Sequence, residues 1–305
     1  MQPTPKGAAA RFFHYPRPLS IVFLQPVGNL CEQSFRAWGE GGKVTIAKSL
    51  ISLFDLSHKV AVVTGAGSGL GKAISEAMGE AGANVACVDI NAETARETSE
   101  KIGKLSVDSI SIKCDVSQEG QVRKMFESIT RKWGGVNILF NNAGIAGDNV
   151  KSHQISLKAW NRVLAVNLTG IFLCAKEAAK IMLKQKSGKI INTASVAGFV
   201  GDFPLLMIPP YHAAKGAIIS FTKEMALEYA KDGINVNAIA PGFFNTNISG
   251  RPKDPNFRRR VEALIPLGRV GQPEELKGTA LFLASKASDY LTGSVIVIDG
   301  GFISR

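Results

Sequence analysis

From Phe54 onward, short runs of apolar, β-branched residues alternate with longer stretches whose apolar positions recur at helical spacing. The short runs predict strands over 59–64, 84–90, 109–115, 136–141, 189–194, 235–240 and 294–299. The longer stretches predict helices over 70–81, 92–102, 119–132, 157–184, 213–231 and 273–285. Near-continuous apolar strands separated by helices belong to a parallel sheet buried on both faces. Right-handed crossovers then give an α/β, doubly wound, Rossmann-like domain with a seven-stranded parallel sheet. No repeat, linker or second composition regime interrupts residues 54–305, which are read as one domain.

Residues 1–53 differ. They carry prolines, scattered Arg and Lys, and no sustained periodicity. The apolar run 19–24 is broken by Gln25-Pro26 and is too short to span a bilayer. No small-residue cleavage site follows it. The first acid is Glu32, so an organelle-targeting leader and a misassigned upstream start codon both stay open. This extension is expected to be poorly ordered or loosely docked, and to carry no chemistry.

Composition adds little to that picture. With 305 residues, 45% hydrophobic and 20% charged, the chain can bury a full core without disulfides or metals. Cys31, Cys87, Cys114 and Cys174 show no metal-ligand or redox spacing, so they read as reduced thiols of a cytoplasmic protein with no metal site. The net charge of +11 raises nucleic acid and membranes as partners. The basic residues are scattered, however, and the densest run, Arg258-Arg259-Arg260, has no interleaved aromatics. It reads as a solvated face, with neither nucleic acid nor membrane as partner. Attraction for an anionic cofactor or an acidic substrate is a second use of the charge.

Two constellations carry candidate chemistry. The first is the turn Thr64-Gly65-Ala66-Gly67-Ser68-Gly69-Leu70-Gly71 between the first strand and the first helix of the domain. Glycines there permit a tight turn, close approach of backbone to a pyrophosphate, and close helix–sheet packing. The helix N-terminus then faces the phosphates. Gly65, Ser68, Gly69 and Leu70 are the candidate contacts. Asp89 ends the second strand, where a carboxylate accepts from an adenosine ribose and repels a 2′-phosphate. The competing role is a helix cap before Asn91-Ala92, and the ribose role is favoured. No arginine sits in the turn, so NAD is favoured over NADP. Asp115, followed by Val116, ends the third strand and either receives an adenine amino group or caps the next helix.

The second constellation is Tyr211-x3-Lys215, with Ser195 one loop upstream. An unperturbed phenol has a pKa of about 10. A lysine ammonium one helical turn away favours the phenolate and lowers that value. A buried tyrosine beside a surface lysine is the bland alternative. The nucleotide turn upstream makes proton transfer, coupled to hydride chemistry on a carbonyl or an alcohol, the better one.

Residues 57–301 resemble the short-chain dehydrogenase/reductase family. The resemblance rests on Thr64-Gly65-x3-Gly69-x-Gly71, Asp115-Val116, Asn141-Asn142-Ala143-Gly144, Asn167, Ser195, Tyr211-x3-Lys215, Pro241-Gly242 and Asp299-Gly300-Gly301. It implies that Tyr211 is the acid in reduction and the base in oxidation. Lys215 would lower its pKa and bind the nicotinamide ribose. Ser195 would hydrogen-bond the substrate oxygen, and Asn167 would hold a water in a proton relay, against the alternative of satisfying helix backbone. Asn142, Ala143 and Gly144 would line the adenosine side, and Thr246, after Pro241-Gly242, would contact the nicotinamide amide. A protein that merely senses NAD would be expected to lack Tyr211 or Lys215.

The segment Pro266-Leu267-Gly268-Arg269, the run Pro273–Gly278 and Phe54-Asp55-Leu56 resemble gluconate 5-dehydrogenase and related sugar-acid or polyol dehydrogenases. The alternatives are a 3-oxoacyl carrier-protein reductase and a cyclic-alcohol or steroid dehydrogenase. The apolar Phe243-Phe244 and the loop 201–210, longer than is usual in the family, speak for these. The resemblance also implies a homotetramer or homodimer packed through the helices 157–184 and 213–231 and the last strand.

Overall fold

In each inner strand, successive side chains enter opposite cores. Val60 and Val62 of β1 (Val60–Thr64) lie in one cluster with Ala86 and Val88 of β2 (Asn84–Asp89), while Ala61, Val63, Val85 and Cys87 lie in the other. Both clusters are built of buried apolar side chains, so the positions of these strands between their polar ends, Asn84, Thr64 and Asp89, had to be apolar. The computed structural model describes residues 48–201, 205–246, 248 and 254–304. Residues 1–47 of the extension therefore lie outside the described residues, and Lys48–Ser52 form a short helix, α1.

The remaining strands are β3 (Ser109–Lys113), β4 (Ile138–Asn141), β5 (Gly188–Thr193), β6 (Ile234–Pro241) and β7 (Val295–Ile298). All neighbours pair in parallel in the order β3-β2-β1-β4-β5-β6-β7. The order reverses between β1 and β4. In open α/β sheets a ligand crevice opens beyond the carboxyl ends of the strands at that point.

On one face lie α2 (Gly69–Glu80), α3 (Ala92–Gly103) and α9 (Lys277–Ala284), contributing Ile74, Met78, Ile102 and Leu283. On the other lie α4 (Glu119–Trp133), α6 (Gly170–Gln185) and α7 (Pro209–Tyr229), contributing Phe126, Ile129, Met182 and Met225. Each large apolar side chain fully buried this way contributes roughly 1.5–3 kcal/mol. Cys87, Cys114 and Cys174 are buried free thiols, and burial pushes Cys87 and Cys114 up to about 11, which leaves them protonated and inert. No described helix is long and apolar enough to cross a membrane.

Two helices depart from the predicted pattern near the crevice. The stretch 157–184 is not one helix but α5 (Leu157–Leu164), a π turn (Ala165–Thr169) and α6. The π turn is where the Asn167 side chain leaves the helix to bond a neighbouring loop, and periodicity alone carries no sign of it. α7 starts at Pro209, earlier than the predicted 213, because Pro209-Pro210 occupy a first turn in which missing N–H groups cost nothing. A further helix, α8 (Pro255–Glu262), was not predicted from periodicity. It is capped by Asp254, whose carboxylate accepts from Asn256 N at 2.9 Å.

Candidate active site

A cleft of about 430 Å³ opens at the sheet reversal. Gly65, Ser68, Gly69, Leu70, Asp89, Asp115, Val116, Asn142, Ala143, Gly144, Ser195, Tyr211, Lys215, Pro241, Gly242 and Thr246 all line it. Asn167 does not, and lies fully buried behind the wall.

At one end the glycine turn is fastened to β4 by Thr64. Its hydroxyl oxygen accepts from Asn142 N at 3.0 Å and Ala143 N at 3.1 Å, and Asn142 Nδ2 donates back to the Thr64 carbonyl at 3.1 Å. Asn142 thus braces the turn as well as lining the cleft. A Cβ on Gly71 would overlap the Gly65 carbonyl oxygen, so only glycine lets α2 begin against this turn. Gly71→Ala is expected to destabilise the fold by about 1–3 kcal/mol, read as a lower urea midpoint with unchanged slope.

The N-cap of α2, Ser68, makes no side-chain capping bond, and the first turn holds no acid, so its leading N–H groups face the cleft without a side-chain acceptor. Asp89 Oδ2 accepts from Gly67 N at 2.9 Å and its Oδ1 from Asn91 N at 3.0 Å. The N-cap of α3 is Asn91, which accepts from Glu93 N and Thr94 N, so Asp89 is not the helix cap. Asp115 Oδ1 accepts from both N and Oγ of Ser117, so it braces this turn while lining the cleft. Bare helix amides for a pyrophosphate and a strand-end carboxylate for a ribose fit a dinucleotide.

At the other end, Ser195 follows β5 in extended backbone and caps a short 3-10 turn, Val196–Gly198. Its Oγ accepts from Ala197 N at 3.2 Å and donates to the Pro241 carbonyl at 3.5 Å. Gly198 permits the turn to rest on α7, since a Cβ there would stand 2.8 Å from the Lys215 carbonyl oxygen. That contact holds Ser195 against the helix bearing Tyr211 and Lys215. Lys215 is 2% exposed, donates from Nζ to the Thr193 carbonyl at 2.5 Å, and lies 5.4 Å from the Tyr211 ring centroid. Burial pulls its pKa down to about 7. Asn167 Oδ1 accepts from Ile145 N and its Nδ2 donates to Ile145 O, both at 2.8 Å. It therefore shapes the wall through Ile145, which itself lines the cleft.

Sequence reasoning named Thr64 within the turn but gave its hydroxyl no role; of the wall beside Ser195 it flagged the long loop and Phe243 and missed Val196, Phe257 and Val261. That wall comprises Val196, Leu206, Ile208, Phe243, Phe257 and Val261. The long loop closes it, pinned where Met207 N donates to Asn149 Oδ1 at 2.6 Å; residues 202–204 of the loop lie outside the described residues. Arg258, first read as part of a solvated face, lies partly exposed on the rim of the cleft.

The fold and this cleft define a dinucleotide-binding α/β oxidoreductase. The family model described as enoyl-(acyl carrier protein) reductase matches residues 65–303. The chain belongs to the short-chain dehydrogenase/reductase family, binds a nicotinamide cofactor and acts on CH–OH groups. It is 38% identical over 247 residues to the 3-oxoacyl-(acyl-carrier-protein) reductase of Aquifex aeolicus, covering 81% of this chain and 98% of that one. A solved short-chain type dehydrogenase/reductase from Mycobacterium marinum superimposes with a TM-score of 0.81 at 40% identity, covering 84% of this chain and all of that one (100%). A gluconate 5-dehydrogenase from Burkholderia cenocepacia, solved with NADP and tartrate, does so with a TM-score of 0.79 at 34% identity, covering 84% and 99%.

Proposed function

We propose that this chain is an NAD(H)-dependent dehydrogenase interconverting a secondary alcohol and a ketone whose carbon skeleton is largely apolar. The observation that carries this reading is a single cleft with Asp89 at one end, Tyr211, Lys215 and Ser195 at the other, and apolar walls beside the serine.

When bound, the nicotinamide supplies or takes up the hydride. In reduction the Tyr211 phenol gives its proton to the carbonyl oxygen, and in oxidation its phenolate takes the alcohol proton. Ser195 donates to that same oxygen and steadies the charge that develops on it. Lys215 shares its proton with Tyr211, since a phenolate beside it offsets the cost of burying an ammonium. Asn167 fixes Ile145 in the cleft wall through its amide, and the water of the proton relay that the resemblance implies would be held beside it. Gly65, Ser68, Gly69 and Leu70 hold the pyrophosphate and Asp89 the adenosine ribose. Asp115, Val116 and Asn142 to Gly144 line the adenosine side, and Pro241, Gly242 and Thr246 border the nicotinamide.

NAD is favoured over NADP because Asp89 would repel a 2′-phosphate, and the only described cations lining the cleft, Lys215 and Arg258, lie at the other end. The B. cenocepacia relative was solved with NADP, so cofactor choice needs its own measurement. The wild type is expected to prefer NAD in kcat/KM. Asp89→Asn, which keeps an oxygen for Gly67 N, is expected to move that ratio at least about tenfold towards NADP. A wild type preferring NADP overturns this part.

A sugar-acid substrate is the second reading, favoured by the gluconate-directed relative and by Arg258. NADH oxidation across cyclic ketones, long-chain ketones, sugar acids and polyols separates the two. Apolar ketones are expected to show the higher kcat/KM, and absence of Tyr211-dependent turnover on every compound refutes the dehydrogenase reading. Exposed Leu157, Phe172 and Leu227 on α5 to α7, with the half-buried apolar edge strand β7, support a homotetramer or homodimer.

A further inference from the structure

We infer that the substrate carries a carboxylate at the end remote from its reacting carbon, and that Arg258 is the residue that reads it. This deepens the proposed function and rests on that reading of the cleft.

The position of Arg258 is set by α8. One face of that helix presents Phe257 and Val261 to a small apolar cluster containing Val196 and Leu205. Val196 directly follows Ser195, and Leu205 belongs to the loop leading into Tyr211. Arg258 lies one turn before Val261, so it stands at the substrate end and not at the nucleotide end.

Its bonding leaves the recognition edge available. Nε donates to Glu262 Oε1 at 2.8 Å, which fixes the direction of the guanidinium plane. Among the described residues, Nη1 and Nη2 have no partner. Arg269 supplies the contrast, since it spends Nη1 and Nη2 on the two oxygens of Glu275 at 2.7 and 2.6 Å. Arg258 lines the cleft with that planar fork unspent, the geometry that matches a carboxylate bidentately.

Glu262 is the one carboxylate paired with Arg258 among the described residues, and none stands on the cleft side of it. The carboxylates lining the cleft are Asp89 and Asp115, both at the nucleotide end, and Glu262 is not a lining residue. The neighbours of the two residues, Val196 beside Ser195 and Phe257 and Val261 beside Arg258, line the cleft and belong to one apolar cluster. Ser195 is 8% exposed, whereas the Arg258 side chain is 43% exposed on the rim. The carboxylate and the reacting carbinol carbon are therefore separated by an apolar segment. The substrate class is an oxo- or hydroxycarboxylic acid with an apolar middle, and 2-hydroxy acids, in which the two groups adjoin, do not fit.

The test is a binding measurement that needs no turnover. The full chain, with NADH present, is titrated calorimetrically with cyclohexanecarboxylate and with the neutral cyclohexanecarboxamide. The carboxylate is expected to bind roughly tenfold tighter, as one charge-assisted pair at a partly exposed site gives. Arg258→Gln is expected to remove that preference by weakening the carboxylate alone. Equal affinities, no measurable carboxylate binding, or a preference that survives Arg258→Gln overturns the inference. Those outcomes leave Tyr211-dependent NADH oxidation untouched, whereas failure of the dehydrogenase reading is a loss of that turnover with the carboxylate preference intact.

Discussion

Tyr211→Phe is expected to lower kcat by roughly 10²–10⁴-fold, the range that one positioned general acid or base supplies. The phenyl ring keeps its place in the first turn of α7, and only the ionisable oxygen is lost. Stability is therefore expected to change by less than about 1 kcal/mol, read as an unfolding midpoint close to that of the wild type. The KM for NADH is expected to stay within about threefold, because the amides of α2 and Asp89 are untouched. A kcat reduced by less than about tenfold on every accepted ketone removes Tyr211 from the proton transfer.

Lys215→Met is expected to act on activity and stability in opposite directions. Activity falls because the phenolate loses its cationic neighbour, and the acidic limb of the oxidation profile, where the phenol must deprotonate, moves to higher pH. Stability of the cofactor-free protein rises. The lysine has a pKa of about 7 in the folded chain and about 10.4 unfolded. Between those values the unfolded chain binds more protons, so this group's contribution is fully present above pH ~10.4 and is lost as the pH falls to ~7. The difference amounts to about 4 kcal/mol at neutral pH. Part of the gain on substitution is offset by the bond lost to the Thr193 carbonyl, about 1.5–3 kcal/mol for a charged donor. A net gain of about 2 kcal/mol near pH 7 is expected, shrinking as pH rises towards 10. Urea unfolding of wild type and variant at several pH values checks it. A variant less stable at pH 7 than at pH 10, relative to wild type, contradicts the sign. A functional group held in place at a cost to stability is the expected signature of a working site.

Two residues show how far the primary sequence reaches. Asp89 ends its strand at a position the order of strands and helices already marks, so its place at the crevice was legible. Whether it caps α3 was not, because Asn91 two residues later offers the same capping oxygen. Only the folded backbone decides which carboxylate or amide reaches the helix amides. Asn167 was legible through the resemblance, yet its position behind the cleft wall was not. The π turn that aims it at Ile145 depends on a loop 22 residues away in sequence.

The amino-acid sequence by itself determined the layered α/β architecture, the order of its elements and the two ends of the cleft. Strand hydrophobicity, glycine placement and the Tyr211–Lys215 spacing are local properties, written in consecutive residues. The sequence flagged the long loop and Phe243, and only the tertiary structure decided what they meet to form the substrate wall. Leu206 of the long loop, Phe243 after β6, and Phe257, Arg258 and Val261 of α8 meet there from distant parts of the chain. α8 shows why. With Arg258, Arg259 and Arg260 beside only two buried or half-buried apolar residues, it reads as solvated surface until Phe257 and Val261 find Val196 and Leu205. A contact of that kind has no period in the sequence, because its stabilisation comes from excluding water between segments that never neighbour one another along the chain.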